Sequence, residues 1–251
     1  MCFVESVFGI SGSFSPFGDI EKLRETVNDQ TAFVILEPIQ GESGIHVAPD
    51  GFLQDVRKIC DEKGVLLIFD EIQAGLGRTG KMWAHEHWNT APDILCLAKG
   101  IAGGVPMGAT LVKPDILDCI SKGEHSSTFG GNPLSCAAGT ATIQALTQDK
   151  LVENSANMGK LFRQGLDQLK EKHSVIREVR GKGLMIGVEL KFEVKDILME
   201  GIEKGLLLLY SGRNILRLLP PLVITEGDVK RSLEILDELF TNEEKRRDAQ
   251  G

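Results

Sequence analysis

The chain has 251 residues, 42% of them hydrophobic and 25% charged, which is ordinary for a globular enzyme and enough for one large domain or two smaller ones with a real core. A formal net charge of −8 speaks against a nucleic-acid or anionic-membrane surface and suits a small-molecule site or a basic partner. Cys2, Cys60, Cys96, Cys119 and Cys136 are widely spaced and never form a CxxC pair, the pattern of reduced thiols in a cytoplasmic protein. No stretch is long enough to span a membrane, and the apolar opening carries Glu5 but no basic residue, unlike a signal peptide.

Residues 1–13 show no pattern and are expected to be irregular. From Phe14 the chain settles: FGDIEKLRETVND has helical spacing at Ile20, Leu23 and Val27, with Asp19 as its N-cap. TAFVILEPIQGESG follows as a strand entering a glycine-containing loop, where Glu37 and Glu42 read as loop or cap carboxylates. GFLQDVRKICDEKG is an amphipathic helix ended by Gly64. VLLIFDEIQ then begins with apolar residues too continuous for a half-exposed strand and ends on Asp70 and Glu71, as a buried strand would. Strand, helix and strand with short joints make a βαβ unit, hence a parallel sheet. A second buried run, DILCLAKGIAGG, ends on Lys99 and passes at once into glycines. Chemistry in an open parallel sheet gathers beyond the carboxyl ends of its strands, so Asp70 and Lys99 are expected to look into one crevice. Without further context such a pair is more often a structural ion pair than a catalytic one.

Between these runs lie two patterns that imitate phosphate-binding loops. Gly75, Gly77 and Gly80 spell GxGxxG, and Gly75, Gly80 and Lys81 spell GxxxxGK. The second lacks the serine or threonine that holds magnesium, having Met82 instead, and the first is followed by KMWAHEHWNTAPD, a poor helix start. A plain loop explains both. His85 and His87 stand without a third ligand in reach and read as surface or satisfied histidines, so no metal site is expected.

PMGATLVK is a further short strand, and HSSTFGGNPLSCAAGTATIQAL a glycine-proline turn leading into a small-residue helix, where Ser127 and Thr128 are able to cap the turn. After Leu146 the character changes. A long polar amphipathic helix is followed by two strand-like runs about a glycine turn, a helix and strand, an apolar strand broken at Pro220 and Pro221, and a closing amphipathic helix; residues 242–251 read as a polar tail. Arg217 stands among leucines, where an arginine is expensive unless paired.

DEIQAGLGRTG, PDILCLAKGIAGG, EPIQGE and STFGGNP together resemble class III pyridoxal-phosphate aminotransferases of the acetylornithine and ornithine branch. The resemblance reaches from about residue 14 to 241. It implies an α/β chain of fold type I, with a partial large domain (14–146) built on a mainly parallel sheet and a connector helix plus small α+β C-terminal domain (147–241). It also implies that Lys99 forms the Schiff base with pyridoxal 5′-phosphate, that Asp70 pairs with the ring nitrogen and keeps it protonated, and that Gln73 touches the ring hydroxyl. Thr128 would reach the cofactor phosphate of a neighbouring subunit, which implies a homodimer with shared sites. Arg217 would bind the substrate α-carboxylate, with Glu42 and Ser127 also in the substrate pocket and Glu42 able to pair with an arginine there. The reaction implied is transamination of an ornithine-like or N-acetylornithine-like amine with 2-oxoglutarate and glutamate, in arginine or lysine biosynthesis, some family members acting on amines borne by a small acidic carrier protein. A phosphate-binding Ser-Gly-Ala/Thr loop and a Phe-His-Gly segment, which family members carry before the EPIQGE strand, do not occur in this sequence. A shortened chain serving only as a dimerisation or structural piece is therefore the rival expectation, with exposed apolar surface and an unpaired sheet edge as its signs.

Overall fold

The structure is a computed structural model that describes residues 2–5, 12–124 and 127–249. It divides into two compact units. The first comprises Met1–Pro38, Ala48–Leu76 and Met82–Asp149, the second Ile39–Val47, Gly77–Lys81 and Lys150–Gly251. In chain order the elements are β1 (Cys2–Glu5), β2 (Gly12–Ser15), α1 (Ile20–Thr26), β3 (Phe33–Leu36), β4 (Ile39–Gln40), β5 (His46–Val47), α2 (Phe52–Lys63), β6 (Leu66–Asp70), β7 (Ile94–Leu97), β8 (Ala109–Val112), α3 (Pro114–Leu117) and α4 (Pro133–Gln148). They continue with α5 (Leu151–Lys172), β9 (Ile176–Lys182), β10 (Met185–Leu190), α6 (Lys195–Glu203), β11 (Leu209–Ser211), β12 (Ile215–Leu218) and α7 (Glu226–Asp248).

The first unit is a six-stranded sheet in the order β2-β1-β3-β6-β7-β8. Its three central strands, β3, β6 and β7, run parallel, as the βαβ reading requires, while β1, β2 and β8 add antiparallel pairings on both sides. The strands among residues 2–15 replace the irregular segment expected from the sequence: β1 borrows its order from β3, a pairing that no local pattern announces. Asp19 caps α1 by accepting from the Lys22 amide at 2.9 Å, and Gly64 ends α2 in the left-handed conformation at φ +66°. Phe52, Leu53, Val56 and Ile59 of α2 are buried, as are Leu67 and Phe69 of β6.

Asp93, buried at the start of β7, ties this unit together. Its carboxylate accepts from the Leu67 amide, Arg57 Nη1 and Lys113 Nζ, each at 2.7 Å, so one side chain links α2, β6 and the strand that follows β7. Burial works against its charge, yet the hydrogen bonds from Lys113, Leu67 and Arg57 outweigh it and hold the carboxyl below its usual range.

The second unit has an antiparallel sheet in the order β11-β12-β10-β9, covered by α5, α6 and α7 over a core that includes Phe162, Leu166, Val188, Leu216, Leu236 and Phe240. The closing helix does not give way to a tail at residue 242. It runs through Asp248 because Glu243, buried to 6% exposure, receives Arg246 and Arg247 on its two oxygens, while Arg247 also lies over the Phe192 ring at 4.0 Å. His173, at the end of α5, is clamped against this helix between Glu244 at 2.8 Å and Asp237 at 2.6 Å.

Candidate functional site

Asp70 is the last residue of β6 and pairs in register with Cys96 of the adjacent parallel strand β7, three residues before Lys99. The parallel arrangement therefore brings acid and amine to the carboxyl ends of neighbouring central strands, where ligands bind in open α/β sheets. Asp70 Oδ1 accepts from the Ile72 amide at 2.9 Å, which fixes the carboxylate at the strand end. Its Oδ2 accepts no hydrogen bond among the described residues. Gln73 lies half-buried in the same turn.

Lys99 differs from expectation. β7 is buried at Leu95 and Leu97, but the backbone swings outward at Ala98 (φ −161°, ψ −142°) and delivers Lys99 exposed rather than buried. Lys99 itself sits at φ +48°, in the left-handed region, at the head of a short 3-10 turn over Lys99–Ala102. A lysine gains nothing locally from that conformation, and such strain concentrates where a side chain must be aimed. Among the described residues Lys99 forms no ion pair, so the structural Asp70–Lys99 bridge is excluded and both groups are left available for a ligand. Helix α4 backs the lysine turn: a Cβ on Gly139 would meet the Ile101 carbonyl oxygen at 3.6 Å.

Glu71, beside Asp70, has a role that the sequence reading missed. It is fully buried and accepts from the Ala84 amide at 2.6 Å, the His85 amide at 2.8 Å and His85 Nδ1 at 2.7 Å. His85 is thus a satisfied histidine. The available signal was a second acid at a buried strand end followed by AHEH, which offers a matching donor. Ser127 and Thr128 lie in the exposed loop before α4, with Ser127 Oγ accepting from the Gly130 amide at 3.1 Å as a turn cap. His125 and Ser126 of that block lie outside the described residues.

In the second unit, Arg217 of β12 places Nη1 2.7 Å from Glu42 Oε1 and 3.4 Å from the Gly41 carbonyl. The arginine side chain is 10% exposed, and its Nε is buried without a hydrogen-bond partner. Two faces of the guanidinium therefore differ: one is occupied by Glu42, and the other carries an unmet donor suited to a carboxylate oxygen.

The glycines of the loop face other parts of the protein. A Cβ on Gly80 would meet Ala156 Cα at 2.9 Å, one on Gly77 would meet Val152 at 3.1 Å, and one on Gly183 would meet the Thr79 backbone at 2.3 Å. These glycines exist so that α5 and the β9–β10 turn pack directly on the loop. Arg78 between them donates to the carbonyls of Leu184 and Pro220, and burial pushes its pKa down to about 10.

The first unit fits two ends of pyridoxal 5′-phosphate. The open Oδ2 of Asp70 suits a protonated ring nitrogen, and the unpaired amine of Lys99 suits the aldehyde.

Residues 15–240 match the family described as Aminotransferase class-III. The acetylornithine aminotransferase of Caldanaerobacter subterraneus subsp. tengcongensis is 47% identical over 229 residues, and the ornithine aminotransferase 1 of Staphylococcus saprophyticus is 44% identical over 228. These matches cover 91% and 90% of this chain but 58% and 57% of the relatives, so the chain spans somewhat more than half their length. Among solved structures, the acetylornithine aminotransferase from Elizabethkingia anophelis is similar with a TM-score of 0.86 at 39% identity, over 91% of this chain and 62% of that one. The ornithine aminotransferase from Toxoplasma gondii ME49 gives 0.88 at 36%, over 94% and 59%. The α/β architecture expected from the sequence is that of these enzymes. With its central strands, its acid and lysine at their ends, and a match over nearly all of its length, the chain belongs to the class III aminotransferase family.

Proposed function

We propose that this chain carries the proton-transfer and carboxylate-binding residues of a pyridoxal-phosphate transaminase acting on an ornithine-like or N-acetylornithine-like amine, with 2-oxoglutarate and glutamate as the other pair. The observation that supports it most is the placement of Asp70 and Lys99 at the ends of β6 and β7 with no ion pair between them. When bound, pyridoxal 5′-phosphate supplies an aldehyde that takes up the amino group and a ring that draws electrons from the substrate Cα. Asp70 Oδ2 would accept the ring N–H and hold that proton, and Lys99 Nζ would hold the cofactor through its aldehyde carbon and, once the substrate amine has freed it, would move the substrate's Cα proton. Gln73 is assigned to the ring hydroxyl, and Thr128 to the phosphate of a second subunit in a homodimer. In the second unit Arg217 takes the substrate α-carboxylate with two parallel hydrogen bonds, while Glu42 covers Arg217 for an amine substrate and withdraws for the dicarboxylate; Ser127 is assigned to substrate as well. The pathway is arginine biosynthesis or the chemically equivalent lysine route, in the cytoplasm, with a free amine or one presented on an acidic carrier protein.

The test is the visible absorption spectrum of the purified full chain with pyridoxal phosphate, before and after borohydride, beside Lys99→Ala. A band removed by borohydride and absent in Lys99→Ala is the expected result, after which amine donors are screened. Absence of the band in the parent chain favours the second reading, a structural piece without turnover. The exposure of Lys99, Phe129 (80%) and Leu134 (71%) is the observation that supports this alternative.

A further inference from the structure

The segment that carries Glu42 has a shape it would not choose. Gly44 stands at φ +123° and Ile45 at φ +58°, a β-branched residue in the left-handed region, yet Ile45 is fully buried. Something must hold this backbone against its own preference. The sheet beneath shows what does. Arg180, Gly187 and Arg217 are register partners across β9, β10 and β12, so two arginines flank one glycine in a single row. A Cβ on Gly187 would meet the Gly44 carbonyl oxygen and Ile45 Cβ, each at 3.1 Å, which places the segment directly over that glycine.

Both arginines grip it. Arg217 reaches the Gly41 carbonyl and the Glu42 carboxylate from one side. From the other, Arg180 Nε donates to the Gly44 carbonyl at 2.8 Å. Ser211 Oγ adds a hydrogen bond to the Glu42 carbonyl. Arg180 is itself fixed, being 9% exposed with Nη1 donating to Glu178 at 2.6 Å and to Glu189 at 2.8 Å. This division of labour needs a guanidinium, since one end of the fork meets the carbonyl while another meets the carboxylates.

We propose that Arg180, with Gly187 as the seat, is a positioning residue that staples the segment 41–46 to the sheet so that Glu42 meets Arg217.

The test uses the Nε–Hε NMR signal of Arg217 in the full chain, identified by its loss in Arg217→Lys. Glu42→Gln is expected to shift that signal in the parent chain and to leave it unmoved in an Arg180→Met background, because the segment has already left Arg217. Arg180→Lys and Gly187→Ala, the latter lifting the segment off its seat, are expected to behave alike and serve if Arg180→Met does not fold. An equal Glu42→Gln shift with and without Arg180, in variants that keep the circular dichroism of the parent, overturns the staple.

Discussion

Arg217 and Glu42 are bonded at 2.7 Å, but unequally housed: the arginine side chain is 10% exposed and the glutamate 74%. An ion pair open to solvent on its acidic side is worth roughly 0–1 kcal/mol. The buried, unbonded Nε of Arg217 is a larger liability, since an unmet buried donor costs about 1–3 kcal/mol. A carboxylate ligand that satisfies it should therefore gain more from Arg217 than the Glu42 pair does. We expect 2-oxoglutarate to raise the unfolding temperature of the chain, by the equivalent of about 2.7 kcal/mol at a hundredfold excess over its Kd. Arg217→Lys, which loses the planar fork, should weaken binding at least about tenfold in a thermal-shift titration. An unchanged midpoint in the parent chain at millimolar ligand would remove Arg217 from the site.

Glu71 supplies a structural counterpart to Asp70. Its carboxylate answers three donors with no exposure, so Glu71→Gln turns an acceptor into an NH2 facing other N–H groups. A loss of about 2–3 kcal/mol in urea denaturation is expected. Asp50→Asn, at an exposed acid of the same unit, should change stability by less than about 0.5 kcal/mol. Equal effects of the two changes would mean that Glu71 is not the anchor of this turn.

Why Asp70 was legible from sequence and Glu71 was not is a matter of range. Continuous apolar runs identify β6 and β7 as buried and central, and a parallel pair fixes where chemistry gathers, so the two strand ends follow from local pattern. Asp19 and Gly64 are equally local. Ala84 lies 13 residues from Glu71, Gly44 136 from Arg180 and Glu42 169 from Ser211, and no periodicity encodes such pairings. The outward swing at Ala98 is likewise a backbone departure that an apolar run does not announce. Strand β1 draws its order from β3 and β2 from β1, and α7 outlasts its apolar stripe through the ion pairs of Glu243. That helix α5 packs on the glycine loop is likewise a tertiary fact.

The pH dependence of stability follows from depressed carboxyls in both units. In the first, burial of Asp93 opposes its charge but Lys113, the Leu67 amide and Arg57 hold its pKa below the ordinary value. In the second, Asp237 and Glu244 are half-buried, which works against their charge, yet they are held low by Lys172 with His173 and by His173 with Ser174 respectively. A carboxyl lowered in the folded state contributes stability that is complete above its unfolded pKa, about 3.9 for aspartate, and is lost as pH falls through the folded value. Stability should therefore decline on acidification below about pH 4 to 5. Asp93→Asn should flatten that decline while lowering stability at neutral pH, because Arg57 and Lys113 lose their anion. Denaturant midpoints between pH 3 and 7 test this, and a parallel pH profile in Asp93→Asn would exclude Asp93 as a contributor.

Gly80 separates packing from phosphate binding. It sits at φ +87°, and a Cβ would meet the α5 backbone. Gly80→Val should destabilise by more than about 2 kcal/mol, combining overpacking with a strained conformation. ATP and NAD should leave the unfolding temperature of the parent chain unchanged. Nucleotide-dependent stabilisation abolished by Gly80→Val would revive the nucleotide-binding alternative.

Lys99 offers a direct measure of what the site costs the fold. A non-glycine residue at φ +48° carries a penalty of about 1–2 kcal/mol, which glycine escapes. Lys99→Ala and Lys99→Gly both delete the amine, so their difference isolates the backbone. Glycine adds unfolded-state freedom, which offsets part of the gain, and we expect Lys99→Gly to be more stable than Lys99→Ala by about 1 kcal/mol in urea denaturation. Both should fail to form the borohydride-sensitive absorption band. If alanine proves the more stable, the left-handed lysine is not strained, and the case for a backbone held in place for chemistry at this position falls. The expected order instead makes Lys99 a residue whose conformation opposes stability, as a strained active-site group does.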